Sequence, residues 1–321
     1  MTRPRVSALL LAWLIAGGGS LWGQVAETLA PQSPRPRAWE DAEAEVPAFR
    51  NQFFQGFQWD AGHLEDLGDR EGGLDLSFQE ARLSFGVPLG NLENILAVSP
   101  FFRTTHLNGP RTVDVPETLF DTGVALFNRK QWSPKWSTTL LVSPMVRSDF
   151  STSEGAVRVF GLGLVNWQAT PSTQYSLGVL HLDREDVGLL PAFGFVWQPT
   201  PTWRLDGMLP RPMISHRVWK QGSRGEAWAS LGGSFGGNSW AVTRDSADAS
   251  SREIDQLTIR DFRILGQYEV RRPGRRGWRV QAGYAFGRSF EYEQSGVDRD
   301  LDDALFLEAS LRFLVRCSNF A

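Results

Sequence analysis

The chain has 321 residues, a formal net charge of −3 and one cysteine, Cys317. A near-neutral balance gives no electrostatic footprint for a nucleic-acid partner. The lone cysteine excludes an intramolecular disulfide framework and any cysteine-based zinc site.

In chain order, Arg3 and Arg5 precede an apolar run from Val6 to Ala16, and small residues follow at Gly17–Ser20 and Gly23. This reads as a secretory signal over 1–23, cleaved near Gly23–Gln24. The competing reading, an uncleaved membrane helix, needs ~20 apolar residues, more than this run supplies. Residues 24–50, with Pro31, Pro34, Pro36 and the acidic stretch Glu40–Glu45, read as a disordered periplasmic linker.

From Asn51 onward, short segments alternate apolar and polar side chains between turn-forming clusters, the signature of an all-β fold. Strands are expected near 52–62, 74–86, 95–106, 116–128, 135–147, 156–168, 173–182, 189–198, 203–208, 213–219, 225–244, 256–270, 277–288 and 303–313. The last three are the clearest. Leu305, Leu307, Ala309, Leu311 and Phe313 share one face, with Glu308, Ser310 and Arg312 opposite. Trp278, Val280, Ala282, Tyr284 and Phe286 alternate with Arg279, Gln281 and Gly283, and the set Phe262 to Val270 alternates with Asp261, Arg263, Gln267 and Glu269. Period 2 gives each strand one apolar and one polar face. Around Phe160, Leu162 and Leu164, with Val159 and Val165 opposite, both faces are apolar.

Connections alternate in type. Short Pro- or Gly-rich turns (88–94, 129–134, 169–172, 199–202, 272–277) interleave with generally longer polar loops (63–73, 107–115, 148–155, 183–188, 245–254, 291–302). Outer-membrane barrels have short turns on the periplasmic rim and longer loops outside. Thirteen Trp against four Tyr suits a protein with two membrane–water interfaces. Trp132, Trp136, Trp167, Trp197, Trp203 and Trp278 flank the short turns, as one interfacial girdle would; the alternative is burial in the core of a soluble sandwich. Both ends of a bacterial barrel lie on the periplasmic side, so the strand number is even. A reversal at Leu209–Pro210–Arg211–Pro212 gives 14, and 12 follows if that stretch is one kinked strand and a weak segment drops out. The expected fold is a closed antiparallel transmembrane β-barrel over 51–313. Phe313 closes the assembly signal, and 314–321 is a short tail carrying Cys317.

VSPMVRSDF (142–150), VFGLGLVNWQ (159–168) and the long run from Leu177 to Trp219 resemble an uncharacterised family of bacterial outer-membrane β-barrels, a domain of unknown function. The resemblance implies the barrel fold and the outer-membrane location, and it carries over no catalytic or binding residues.

Chemistry is sparse. Arg158, Asp261, Arg263, Glu269, Arg279, Glu308 and Arg312 fall on the polar faces and are expected in the lumen. There they either line a pore and tune selectivity or pair across it, since buried charges need partners. Asp183–Asp186 offers carboxylates for Ca²⁺ or a solvated turn. Arg211, His216 and Arg217 could form a basic cluster at the external rim, facing lipid phosphate or an anionic solute. The four histidines (His63, His106, His181, His216) have no metal-ligand spacing, and no cofactor motif occurs. Ser148, Asp149 and His181 are the residues a barrel-wall hydrolase would use, but their spacing carries no signature, so no enzyme is expected. The expectation is a passive channel or transporter for small solutes, with outer-membrane lipid and the barrel assembly machinery as partners. A closed barrel presenting loops to a partner, and more remotely the hydrolase, are the alternatives.

Overall fold

A computed structural model describes residue 46 and residues 53–68, 73–109, 115–181, 189–245, 252–274 and 276–313. The expected signal segment, most of the linker, the tail with Cys317, and Asp183–Asp186 lie outside the described residues. The strands are β1 (Phe54–Asp66), β2 (Asp75–Leu89), β3 (Asn91–Asn108), β4 (Thr118–Gln131), β5 (Trp136–Ser148), β6 (Val157–Thr170), β7 (Thr173–His181) and β8 (Leu190–Thr200). They continue as β9 (Trp203–Asp206), β10 (Met213–Gln221), β11 (Gly225–Asp245), β12 (Arg252–Arg272), β13 (Arg276–Tyr292), β14 (Val297–Leu301) and β15 (Ala304–Phe313).

Each strand pairs antiparallel with the next in sequence from β1 to β13, and β1 pairs with β15 to close the ring. β14 and β15 both pair with β13, at Arg288–Tyr292 and Gly277–Ala285 respectively. They therefore run in line as one interrupted stave, and fifteen segments make a closed barrel of 14 staves. The interruption has a local cause: Arg288 Nη1 donates to the Asp302 carbonyl (2.7 Å) and to Asp66 (2.9 Å), and Nη2 donates to the Leu74 carbonyl. Arg288 faces inward because a bulge at Gly287 (φ +57°) shifts the phase of β13, a backbone conformation that glycine adopts without strain.

The short turns gather at one end and the longer loops at the other. Among the described residues the turn between β13 and β14 is tighter than expected, with strand pairing up to Tyr292↔Val297. The sequence VDRDL shows no apolar alternation because all but Leu301 stand exposed or half-exposed.

At the loop end the wall is uneven. β9 has four residues; its last, Asp206, pairs with Val196 and Met213, and Met213 pairs with Gly232. Among the described residues β11 runs past Gly232 with no strand beside that edge until Ala241 meets Ser148 of β5 in a parallel bridge. Staves β6–β10 thus stop short. The other nine continue into a narrower collar closed by the β5–β11 bridge. Asp149 N–H donates to the Ala241 carbonyl (3.3 Å), Thr243 N–H donates to Asp149 (3.1 Å), and Ser151 and Thr243 share a hydroxyl bond of 2.6 Å.

The outer face is apolar. Leu177, Leu231, Leu307, Ile264, Phe193 and Leu305 are all more than half exposed, an inside-out distribution for a domain of this size, whose exposed apolar patches are normally small. Val159 and Val165 stand exposed on this face while Phe160, Leu162 and Leu164 of the same strand are buried inside.

Candidate functional site in the lumen

Fourteen staves enclose more space than the eight that side chains from a narrow barrel just fill, and fewer than the 16–18 that leave a wide aqueous channel. Long side chains and one turn occupy that space here, in three regions.

The collar is apolar. Leu74, Leu107, Leu119, Trp240, Val242, Leu257, Ile259, Phe290, Tyr292 and Leu301 form one buried cluster. Its floor is charged: Arg147 pairs with Asp121 (2.7 Å), and Trp240 Nε1 donates to the same carboxylate (3.3 Å).

Below the collar the inner wall of β3–β8 is greasy. Phe101, Ala125, Leu141, Met145, Phe160, Leu162, Leu164 and Leu180 pack together with Met208 of the β9–β10 turn. Towards the short-turn end this side becomes polar and neutral: Asn166 donates to Thr139 (3.0 Å) and accepts from Ser176 (2.7 Å).

The opposite wall, from β1, β2, β12, β13 and β15, is charged. Asp261 accepts Arg263 in a two-point contact (2.7 and 2.8 Å). Glu269 holds Arg271 (2.6 Å) and approaches Arg312 (3.6 Å), and Arg312 also donates to Gln58 (3.2 Å). Arg279 lies between Glu308 (3.4 Å) and Asp60 (3.7 Å). Arg158, at the loop end of β6, donates to Gln256 of the β12 overhang. Two-point guanidinium–carboxylate contacts fix both partners more firmly than a point charge would. Asp60, Glu80 and Arg82 join the same wall although the sequence reading did not single them out, and Arg204 of β9 pairs with Asp206 of its own strand (3.2 Å). Their signal was present, since Asp60 alternates with Trp59 and Ala61, and Glu80 and Arg82 alternate with Ala81 and Leu83.

A cavity of about 90 Å³ lies between the charged wall and the β9–β10 turn, lined among others by Asp60, Arg211, Asp261, Arg263, Arg279 and Gln281. The expected basic cluster at the external rim is not formed. Arg211 is buried in the lumen on the inturned β9–β10 connection. His216 packs outside against Trp203, the rings tilted and 4.5 Å apart, at the short-turn end. Arg217 lies near Glu226 (3.9 Å). The three separate because β9 is so short that the connection drops into the barrel, while successive residues of β10 face opposite ways.

On the exterior, Trp132, Trp136, Trp167, Trp197, Trp203 and Trp278 are 41–60% exposed. Trp136 pairs with Trp167, which pairs with Tyr175, their rings 6.1 and 6.0 Å apart. Trp228 and Trp240 are instead buried inside. Phe313, the last residue of β15, sits opposite Phe57 with ring centroids at 5.0 Å. The hydrolase residues are not assembled: Ser148 Oγ donates to the Thr152 carbonyl (2.8 Å), and His181 belongs to the outward-facing set of β7.

No family model matches the chain, and no curated protein matches it; the resemblance read from 142–150, 159–168 and 177–219 is thus not carried by a family model. Among solved structures the chain is similar to OprB of Pseudomonas putida in a low-pH structure, with 11% identity, 81% of this chain and 93% of that one covered, and a TM-score of 0.32. It is also similar to OccK5 (OpdH) of Pseudomonas aeruginosa (9% identity, 83% and 99% covered, TM-score 0.31). A third is the outer membrane channel DcaP of Acinetobacter baumannii (11% identity, 81% and 96% covered, TM-score 0.27).

Proposed function

We propose that this chain is a bacterial outer-membrane barrel that passes small polar solutes through a narrow lumen, and that the collar is its closed gate. The observation that carries the reading is the inside-out distribution: arginine–carboxylate pairs line the interior, while leucine, phenylalanine and tryptophan stand on the surface. In hydrocarbon every backbone polar group must be satisfied within the protein, and a closed ring of strands does this. The girdle tryptophans then lie at the periplasmic interface, where an indole has lipid for its body and water for its N–H. The proposed partners follow: outer-membrane lipid around the belt, the barrel assembly machinery, which would read β15 up to Phe313, and a small solute in the lumen.

Purified, refolded protein in a planar bilayer provides the test. Discrete conductance steps are expected, with open times set by collar motion. Replacing Arg263 or Arg279 by Glu should move ion preference toward cations, read as a shift in reversal potential. A stable barrel with no conductance under any applied voltage would overturn the reading.

A second reading, a permanently closed barrel that presents its loops, is favoured by one observation: the collar cluster is buried, with Leu74, Leu119, Val242 and Leu257 at 0% exposure. The same recording separates the two.

A further inference from the structure

Arg211 differs from the other lumen arginines. It is 92% buried (8% exposed) on the inturned β9–β10 connection, and its Nη2 donates to the side-chain carbonyls of Gln267 (2.7 Å) and Gln281 (2.6 Å). Among the described residues no carboxylate lies at ion-pair distance from it. The carboxylates lining the cavity are engaged elsewhere: Asp261 with Arg263, Glu80 with Arg82 (2.7 Å), and Asp60 and Glu308 with Arg279. A buried cation whose direct contacts are neutral oxygens loses most of its hydration, and the carboxylates that act on Arg211, namely Glu308, Glu269 and Asp206, do so from beyond ion-pair distance.

The glutamines turn this cost into a recognition element. A guanidinium only donates, so both amides must present oxygen to Arg211. Their NH₂ groups then point the other way. The donors left over are Nε and Nη1 of Arg211 and the two amide nitrogens, which have no hydrogen-bond acceptor among the described residues. Gln281 and Arg211 also line the 90 Å³ cavity, which at ~10–15 Å³ of such volume per water admits about six to nine waters, or an ion of a few heavy atoms.

We infer that Arg211, Gln267 and Gln281 form a binding site for the carboxylate group of a small solute inside the lumen. The inference rests on the lumen being a solute route, and it names the class of solute: small monocarboxylates. Both two-donor edges of the guanidinium include Nη2, so a carboxylate takes one by displacing a glutamine oxygen, and the flat edge then matches the flat anion. The site's acidic neighbours, Glu308 and Asp60, oppose a multiply charged ion such as phosphate, since Arg279 is their shared partner. The other basic groups around it are already committed to carboxylates, which leaves Arg211 as the cation that can exchange its contacts for a passing anion.

The test titrates ¹³C-labelled acetate, inorganic phosphate and methylammonium into the full-length barrel refolded in detergent, and follows ligand line broadening by NMR. Acetate should broaden saturably; phosphate and methylammonium should not. Arg211→Gln should weaken acetate binding ~10- to 100-fold, the worth of a hydrogen bond to a charged group. Arg211→Lys should retain part of it. Arg211→Gln could disturb the inturned connection, so Gln281→Glu is the second variant. It gives Arg211 a carboxylate of its own, and should keep the barrel folded, as judged by a gel shift between boiled and unboiled samples, while abolishing acetate binding. Undiminished acetate broadening in both Arg211→Gln and Gln281→Glu would overturn the site, as would absence of acetate binding to the parent protein. Conductance is recorded separately. Acetate binding through Arg211 in a barrel that never conducts would leave the site standing and remove the channel; conductance without acetate binding would do the reverse.

Discussion

The charge pair at the floor of the collar shows how much one residue can hold. Asp121 on β4 is 1% exposed and engages Arg147 of β5 and Trp240 of β11, so it ties the overhanging strand to the wall it crosses. Removing one member of a buried ion pair leaves the other charge uncompensated and costs about 3–5 kcal/mol. Asp121→Ala should destabilise the barrel by that order, measured by denaturant unfolding from micelles, while Arg276→Ala, at the exposed first residue of β13, should be nearly silent. An Asp121→Ala barrel as stable as the parent would show that the pair is solvated. At this scale the sequence was legible in part. The polar faces that carry Asp261, Arg263, Glu269, Arg279, Glu308 and Arg312 were legible because each lies in a strand of strict alternation. Asp121 was not, since its strand, TLFDTGVALFNRK, is apolar on both faces. Arg211 was misread because nothing local says whether a turn projects outward or folds into the barrel; that depends on the length of β9 relative to its neighbours.

For the strand, the governing quantity is what each face meets. Leu177, at the centre of β7, is 64% exposed and lies between Val165 and Phe193. If the belt faces lipid, Leu177→Arg should cost ~2–4 kcal/mol in a bilayer, as an arginine does at the midplane, and little in a soluble barrel. Folding into vesicles followed by tryptophan fluorescence measures the difference. Phe313→Ala should lower the amount of folded barrel several-fold in an outer-membrane fraction, because it removes the terminal aromatic of β15 and its contact with Phe57. Deleting 314–321 should leave insertion largely intact. If deletion abolishes insertion and Phe313→Ala is silent, the signal lies beyond β15. Strand number and turn phase were readable because a wall with an apolar outer face and a different inner one imposes period 2. The loop-side ends of β12 and β13, and all of β14, were not. These stretches build the collar, where neighbouring strands rather than a uniform solvent decide which side chain is buried.

The whole molecule is two rings that share nine staves: a wide one of 14, closed by continuous ladders, and a narrow one closed by the Ser148–Ala241 bridge and the side chains around it. If the collar is a gate, it opens by parting this bridge and leaves the wide ring intact. Ser151 and Thr243 face each other there, with their hydroxyl oxygens 2.6 Å apart. In a background with Cys317→Ser, the pair Ser151→Cys and Thr243→Cys should crosslink and hold conductance at its closed level until reductant is added. Conductance unaffected by a formed crosslink would place the gate elsewhere. The bridge also has a kinetic meaning. Ser151 and Thr243 beside it lie 92 residues apart in sequence, whereas most of the wall is built from hairpins that close over short loops, and the entropy of closure grows with loop length. The collar should therefore form after the hairpins and loosen before them. Amides at 147–149 and 241–243 are expected to exchange with deuterium ahead of those in the short-turn half of the β12–β13 hairpin, as a locally unfolding unit does. The loop end would then breathe on a timescale of its own while the rest of the wall stays closed.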